Sequence, residues 1–103
     1  MENTKINVEI DEDLKDLIPG FMENRKKDIV QLTALVQAND LTAIAQLAHK
    51  IKGAAAGYGF QQLSAFAASM EKAAKANDPG PLPQLVEDMK THFDRVEVRF
   101  ITV

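Results

Sequence analysis

The sequence predicts an all-α fold: an antiparallel up-down-up-down four-helix bundle with a short N-terminal lead-in helix. Apolar residues recur at three- and four-residue steps over most of the chain, which is the period of a helix buried on one face. The breaks between these stretches are short, which favours neighbouring helices that run in opposite directions. A length of 103 residues suits one hydrophobic core. We therefore expect a single domain over residues 1–103, with residues 1–10 extended and the bundle over about 12–100.

The first helical stretch contains a proline that divides it. Pro19 donates no backbone hydrogen bond, and its ring crowds the carbonyl four residues back. We expect a lead-in helix to about Ile18 and a long helix that begins or kinks at Pro19. Asp40 suits the N-cap of the second helix. The apolar positions of this stretch, with Arg25 as the polar exception, are Leu14, Leu17, Ile18, Phe21, Ile29, Leu32, Leu35 and Val36.

The later helices are bounded by glycine and proline. The second helix is expected to end at Gly57-Tyr58-Gly59, because glycine adopts the positive φ of a helix C-terminus. The loop at 77–83 separates the third helix from the fourth. Residues 6–10 and 96–100 both alternate apolar and polar residues as strands do. Phe93, Val96 and Phe100 also keep the helical period, so we predict helix for the C-terminus and leave the N-terminus extended.

The composition excludes several classes of protein. Twelve Lys and Arg against fifteen Asp and Glu give a net charge of −3, which argues against a nucleic-acid partner. The absence of cysteine excludes disulfides, thiolate metal sites and cysteine nucleophiles. No apolar run has the length of a signal peptide or a membrane helix. We expect a cytoplasmic protein that does not bind a membrane.

Motifs of conventional active sites are missing. No phosphate-binding glycine loop is present, and neither serine lies in a nucleophile elbow. His49 and His92 fall on different predicted helices without metal-ligand spacing, so we expect no metal site. His92 is expected at a partly exposed helix position. The sequence therefore predicts no enzyme and no site for ATP.

His49 is the residue with an unusual environment. At about 100° per residue, it lies roughly 160° from Ile51, the centre of the apolar stripe of its helix. Small residues surround it, and Lys52 follows one turn later. One interpretation is an ordinary surface histidine beside small residues that permit close helix packing. The other is an imidazole nucleophile, with room for a second protein and a cation for phosphoryl oxygens. The small residues are Ala45, Gly53 and Ala56.

The segment from His49 to Phe60 resembles the motif of histidine-containing phosphotransfer (HPt) domains of bacterial phosphorelays. The positions that match in order are His49, Ile51, Lys52, Gly53, Ala54 and Gly59. The resemblance implies that His49 is phosphorylated, that Lys52 neutralises phosphoryl oxygens and that Gly53 keeps the approach open. Ala54 stands where the family often has serine. Glu71 stands where some members have glutamine, and its carboxylate either orients the imidazole or is solvated.

The resemblance also implies a phosphocarrier rather than an enzyme. It would exchange a phosphoryl group with the aspartate of response-regulator receiver domains, or accept it from a sensor histidine kinase. Mg²⁺ would be held by the receiver, so no cofactor is expected in this chain, which we expect to be a monomer. Partners would dock over Ala45, Gly53 and Ala56, with Lys50 adding positive charge. The alternatives are a helical adaptor that has lost phosphotransfer and the phosphorylatable module of a chemotaxis-type histidine kinase.

Overall fold

The computed structural model describes residues 5–103, which form four α-helices and a two-stranded sheet. The predicted helical bundle is therefore confirmed in its four helices, whereas the sheet was not expected. The strands are β1 (Ile6–Asp11) and β2 (Val96–Ile101), and the helices are a 3₁₀ helix (Glu12–Leu17), α1 (Ile18–Gln37), α2 (Leu41–Tyr58), α3 (Gln61–Lys75) and α4 (Leu82–Arg95).

Local sequence explains where the first helices begin. Pro19 lies in the first turn of α1, where its missing N–H has no intrahelical partner to lose. The helix therefore starts at the proline without a kink being required. The segment predicted as a lead-in helix is a 3₁₀ helix, and the Asp11 carboxylate accepts from the backbone N–H of Asp13 at 2.9 Å. Asp40 caps α2 as predicted, because its carboxylate accepts from Ala43 N at 3.2 Å.

A tight turn joins α2 to α3 and sets their approach. Gly59 has φ +98°, the left-handed conformation that glycine adopts without steric cost. The backbone N–H of Phe60 then bonds the Ala55 carbonyl at 2.8 Å. The Phe60 ring is buried and stacks on Phe21 at a centroid distance of 4.6 Å. Only two residues separate the helices, so α3 folds directly back along α2.

The C-terminus is a strand, and our prediction of helix to about residue 100 is wrong. The helix α4 ends at Arg95, and Val96–Ile101 pairs in parallel with Ile6–Asp11. The helical period from Phe93 onward fits the sequence equally well, but an extended chain pairs with β1 and packs Val96 and Val98 against the core. The extended N-terminus is confirmed over residues 6–10. Residues 1–4 of that prediction lie outside the described residues.

The core lies between the four helices and under the sheet. Contacts join α1 to α2, α2 to α3, α3 to α4 and α1 to α4. His92 on α4 is buried beside the Phe66 ring, which corrects the expected partial exposure. None of the helices in residues 5–103 has the length and apolar character needed to cross a membrane. Residues with no exposed surface are Leu32, Ile44, Ala48, Ala55, Ala67, Met70 and Met89.

Gly57, in the last turn of α2, and Gly59, which follows the helix, allow a matched test of the turn. Gly59→Ala is expected to lower the free energy of unfolding by about 1–2 kcal/mol, because alanine is strained at positive φ. A Cβ there would also lie 3.4 Å from Ile10 Cδ1. Gly57→Ala is the control: its Cβ would meet nothing within 4 Å, and alanine favours helix by up to about 1 kcal/mol. Urea unfolding followed by circular dichroism measures both. Equal effects of the two substitutions would contradict this account of the turn.

Candidate functional site

His49 lies on the exposed face of α2, with 68% of its side chain accessible. The opposite face is apolar and completely covered by the other helices, because Ile44, Ala48, Ile51 and Ala55 are buried there. The helix therefore turns its histidine toward solvent as a consequence of burying its apolar stripe. An imidazole in this position is open to a macromolecular partner.

Glu71 on α3 faces the histidine and is only 5% exposed. Its carboxylate contacts three side chains that carry N–H groups. His49 Nδ1 lies 2.9 Å from Oε2, Lys52 Nζ lies 2.7 Å from Oε1, and Lys75 Nζ lies 2.9 Å from Oε2. Glu71 is therefore buried in contact with the imidazole and is not a solvated carboxylate, and its role in orienting the ring stays a prediction.

The charges around Glu71 hold it in the ionised form. The hydrogen bond from Lys52, followed by that from Lys75, lowers the pKa of Glu71 from 4.5 to about 2, although burial opposes the change. An ionised carboxylate accepts hydrogen bonds and donates none. The proton of the neutral imidazole therefore lies on Nδ1, which leaves Nε2 with the free lone pair.

A further contact aligns the two helices at the level of the lysine. The Ser64 hydroxyl on α3 donates to the backbone carbonyl of Lys52 at 2.9 Å. This bond crosses from α3 to α2 three residues beyond the histidine. It ties the backbone that carries Lys52 to the helix that carries Glu71, so their side chains meet in one arrangement.

A shallow groove of about 410 Å³ runs beside His49 between α2 and α3. Its lining residues are Ala45, Gln46, His49, Glu71 and Lys75. On the other side of the histidine, Gly53 and Ala56 are exposed, and a Cβ at Gly53 would meet nothing within 4 Å. The small residues predicted around His49 therefore place no large side chain of their own on either side of the imidazole.

Lys50 lies apart from this cluster. Its ammonium is 3.9 Å from Asp28 Oδ1 on α1, and 64% of its side chain is exposed. Asp28 itself is buried and accepts from Arg25 Nε at 2.9 Å. The structure thus brings together His49, Lys52 and Glu71 from the sequence prediction, and directs Lys50 toward α1.

Lys75 and Gln46 are site residues that the sequence reasoning missed. Lys75 follows Glu71 by four residues, which places both on one face of α3. That spacing is a usable signal once Glu71 is suspected. Among residues 5–103, no group of three His, Asp or Glu side chains is arranged to hold a metal ion.

The lysine contact predicts a measurable change in the titration of Glu71. Lys52→Met is expected to raise the pKa of Glu71 from about 2 toward 4.5, because it removes the largest stabilising hydrogen bond. Carbon-detected NMR of the Glu71 carboxyl group measures the titration. Since the folded pKa is depressed, the ionised carboxylate stabilises the fold above pH 4.5, and this stability is lost as the pH falls toward 2. In Lys52→Met that loss should be smaller.

Lys50→Met is the matched control for this titration. It removes an equal charge from the residue next to His49 in the sequence, but Lys50 contacts Asp28 and not Glu71. The pKa of Glu71 should therefore stay low. An unchanged titration in Lys52→Met, or an equal rise in both variants, would show that the direct hydrogen bond is not what holds the carboxylate ionised.

Comparison with protein families identifies the chain. The family model described as "Hpt domain" matches residues 11–98, which include α1 to α4 and the whole cluster around His49. Comparisons with curated proteins and with solved structures gave no significant match. The resemblance seen in the segment from His49 to Phe60 is confirmed by this family match. The chain therefore belongs to the Hpt domain family, the histidine phosphotransfer modules of two-component signalling.

Proposed function

We propose that this protein is a phosphocarrier that accepts a phosphoryl group on His49 and passes it on. It exchanges the phosphoryl group with the aspartates of response-regulator receiver domains. A sensor histidine kinase is the alternative donor of that group. The observation that carries the proposal is the exposed imidazole of His49, held through Nδ1 by a buried carboxylate that two lysines also contact.

The geometry supports attack by Nε2. With the Nδ1 proton directed at Glu71, the Nε2 lone pair attacks phosphorus of the partner's aspartyl phosphate. The new P–N bond forms as the bond between phosphorus and the aspartate oxygen breaks, and the aspartate leaves as a carboxylate. Glu71 acts as a positioning residue, since it holds the ring and keeps the proton off Nε2.

Lys52 and Lys75 supply positive charge beside the ring. Both ammonium groups contact the same carboxylate that contacts the imidazole Nδ1, so they add positive charge to the surroundings of the ring. Two cations beside one anion favour the addition of further negative charge there. Mg²⁺ for the transfer belongs to the receiver, whose own carboxylates bind it. This chain then needs no cofactor and no ATP, and acts as a carrier rather than as an enzyme.

The docking surface is the low face around His49. Ala45, Gly53 and Ala56 leave space for a receiver to bring its aspartate in line with Nε2. Lys50 contributes positive charge at the border of this face toward α1, which suits an acidic receiver pocket. A modest interface of the transient signalling kind is sufficient for such an exchange.

The same proposal includes the arrangement of the chain. Short connections and the contacts between successive helices support an antiparallel up-down-up-down order within one domain over residues 1–103. Receivers and kinase transmitter domains meet in the cytoplasm, which supports that location. The sequence predicts a monomer, and the contacts within one chain do not test that prediction.

Replacing the histidine tests the central claim. His49→Ala should lose all acceptance of phosphate from a panel of phosphorylated receiver domains. The variant should stay folded, because the side chain is largely exposed and Lys52 and Lys75 still contact Glu71. Radiolabel transfer and circular dichroism measure the two quantities. In the wild-type protein, ³¹P and ¹⁵N NMR should place the phosphoryl group on Nε2.

The outcomes separate the alternatives. Normal labelling of His49→Ala would refute His49 as the acceptor. Failure of the correctly folded wild-type protein to take label from a broad panel would favour the helical adaptor. Phosphorylation on Nδ1 would contradict the positioning role of Glu71 while leaving the carrier function in place.

A glycine substitution tests the docking face. Gly53→Gln should slow transfer from a receiver by roughly tenfold to a hundredfold, because the new side chain keeps the aspartate from its in-line position. Gly20→Gln is the control, since it adds the same side chain at an open position near the start of α1. Single-turnover transfer rates measure both variants. Equal rates for Gly53→Gln and wild type would remove Gly53 from the docking face.

A further inference from the structure

The parallel sheet formed by β1 and β2 has an open edge. Within residues 5–103, β2 has a strand neighbour on one side only, and its one other backbone hydrogen bond runs from the Val96 N–H at its first residue to the Phe93 carbonyl. Parallel sheets are usually covered, and two-stranded sheets are marginal in water. Unpaired N–H and C=O groups along a strand edge form a template for another strand.

The side chains of β2 alternate in character along this edge. Val96 and Val98 pack against the core, whereas Phe100 on the same side is 37% exposed. Glu97 and Arg99 are exposed on the other side of the strand. One side of the strand is therefore apolar, and the other carries one negative and one positive charge two residues apart.

We propose that two copies of this chain associate through β2, antiparallel about a twofold axis at Val98. The result is a continuous four-stranded sheet in the order β1–β2–β2–β1. Such an interface is isologous, because each copy contributes the same edge. The proposal does not depend on phosphotransfer, since it concerns only the association of the strands.

Charge selects the register of this pairing. Residues directly opposite each other in an antiparallel pair have their side chains on the same side of the sheet. One strand can therefore shift against the other only by two residues at a time, and each such shift moves the twofold axis by one residue along the strand. An axis at Glu97 places two carboxylates opposite each other, and an axis at Arg99 places two guanidinium groups opposite each other. With the axis at Val98, Glu97 of each copy faces Arg99 of the other.

The same register extends the rows of cross-strand side-chain neighbours that β1 and β2 already form within one chain. Arg99 lies opposite Glu9 of β1, so in the dimer it would stand between Glu9 and Glu97 of the second copy. On the apolar side, Ile10 lies opposite Phe100, and Phe100 would then face Val96 of the second copy. The exposed phenylalanine thereby gains an apolar neighbour, and its loss of exposed surface favours association.

This dimer leaves the phosphorylation site accessible. Ile10 of β1 contacts the end of α2 at Gly59, which is ten residues, or about 15 Å of helix, from His49. The sheet therefore lies at the C-terminal end of α2, whereas the histidine lies near the middle of that helix. Two copies joined at β2 keep both His49 faces available for receivers.

The test uses charge reversals in the full chain. Wild-type protein should shift from 11.4 kDa toward twice that mass as concentration rises over roughly a hundredfold range in sedimentation equilibrium. Glu97→Arg and Arg99→Glu should each weaken self-association by at least about tenfold, because each places like charges opposite each other. Glu87→Arg is the control on the exposed surface of α4 and should dimerise as wild type does.

Mixing the two variants gives the decisive result. Glu97→Arg and Arg99→Glu in equal amounts should form a heterodimer, since every charge then faces its opposite across the edge. Circular dichroism and phosphate transfer verify that each variant keeps its fold and its site. A wild-type protein that stays monomeric throughout the range would overturn the proposal. So would variants that dimerise normally, or a mixture with no more dimer than the separate proteins.

Discussion

A carboxylate that is only 5% exposed loses most of its hydration, and the fold tolerates this only when other groups replace the water. Around Glu71 those groups are the ammonium ions of Lys52 and Lys75 and the Nδ1–H of His49. The groups that compensate this one buried charge therefore also form the surroundings of His49. It holds the ring, places two cations beside it and leaves Nε2 free. The same contacts of Glu71 stabilise the buried charge in the fold and determine the environment of the imidazole.

This arrangement requires that α2 and α3 approach each other closely along their length. Both helices carry fully buried alanines, Ala48 and Ala55 on α2 and Ala67 on α3, and small side chains in a core permit helices to approach closely. The turn at Gly59 sets the direction of α3, and the Ser64 hydroxyl ties it to the backbone of α2. Rigid helices positioned in this way hold side chains more precisely than loops would.

The sheet adds a second surface at a distance from the histidine. It pairs the segments at the two termini of the helical region, because β1 precedes the first helix and β2 follows the last. Its pairing covers one edge of each strand and leaves the outer edge of β2 open. Residues of the proposed interface, such as Arg99, lie on β2 and not in the cluster at Glu71. Substitutions can therefore test the proposed transfer and the proposed self-association separately.

Local patterns in the sequence were enough to predict the four helices, the capping role of Asp40 and the exposed position of His49, because periodicity and capping depend on residues a few positions apart. The motif around His49 was enough to indicate the family. The tertiary structure decided the burial of Glu71, its contact with His49 and the conversion of the C-terminus into a strand. Each of these depends on a partner far along the chain: Glu71 is 22 residues from His49, and Val96 pairs with Ile6. Helical period and strand alternation coexist at 96–100, and the pairing with β1 decides between them.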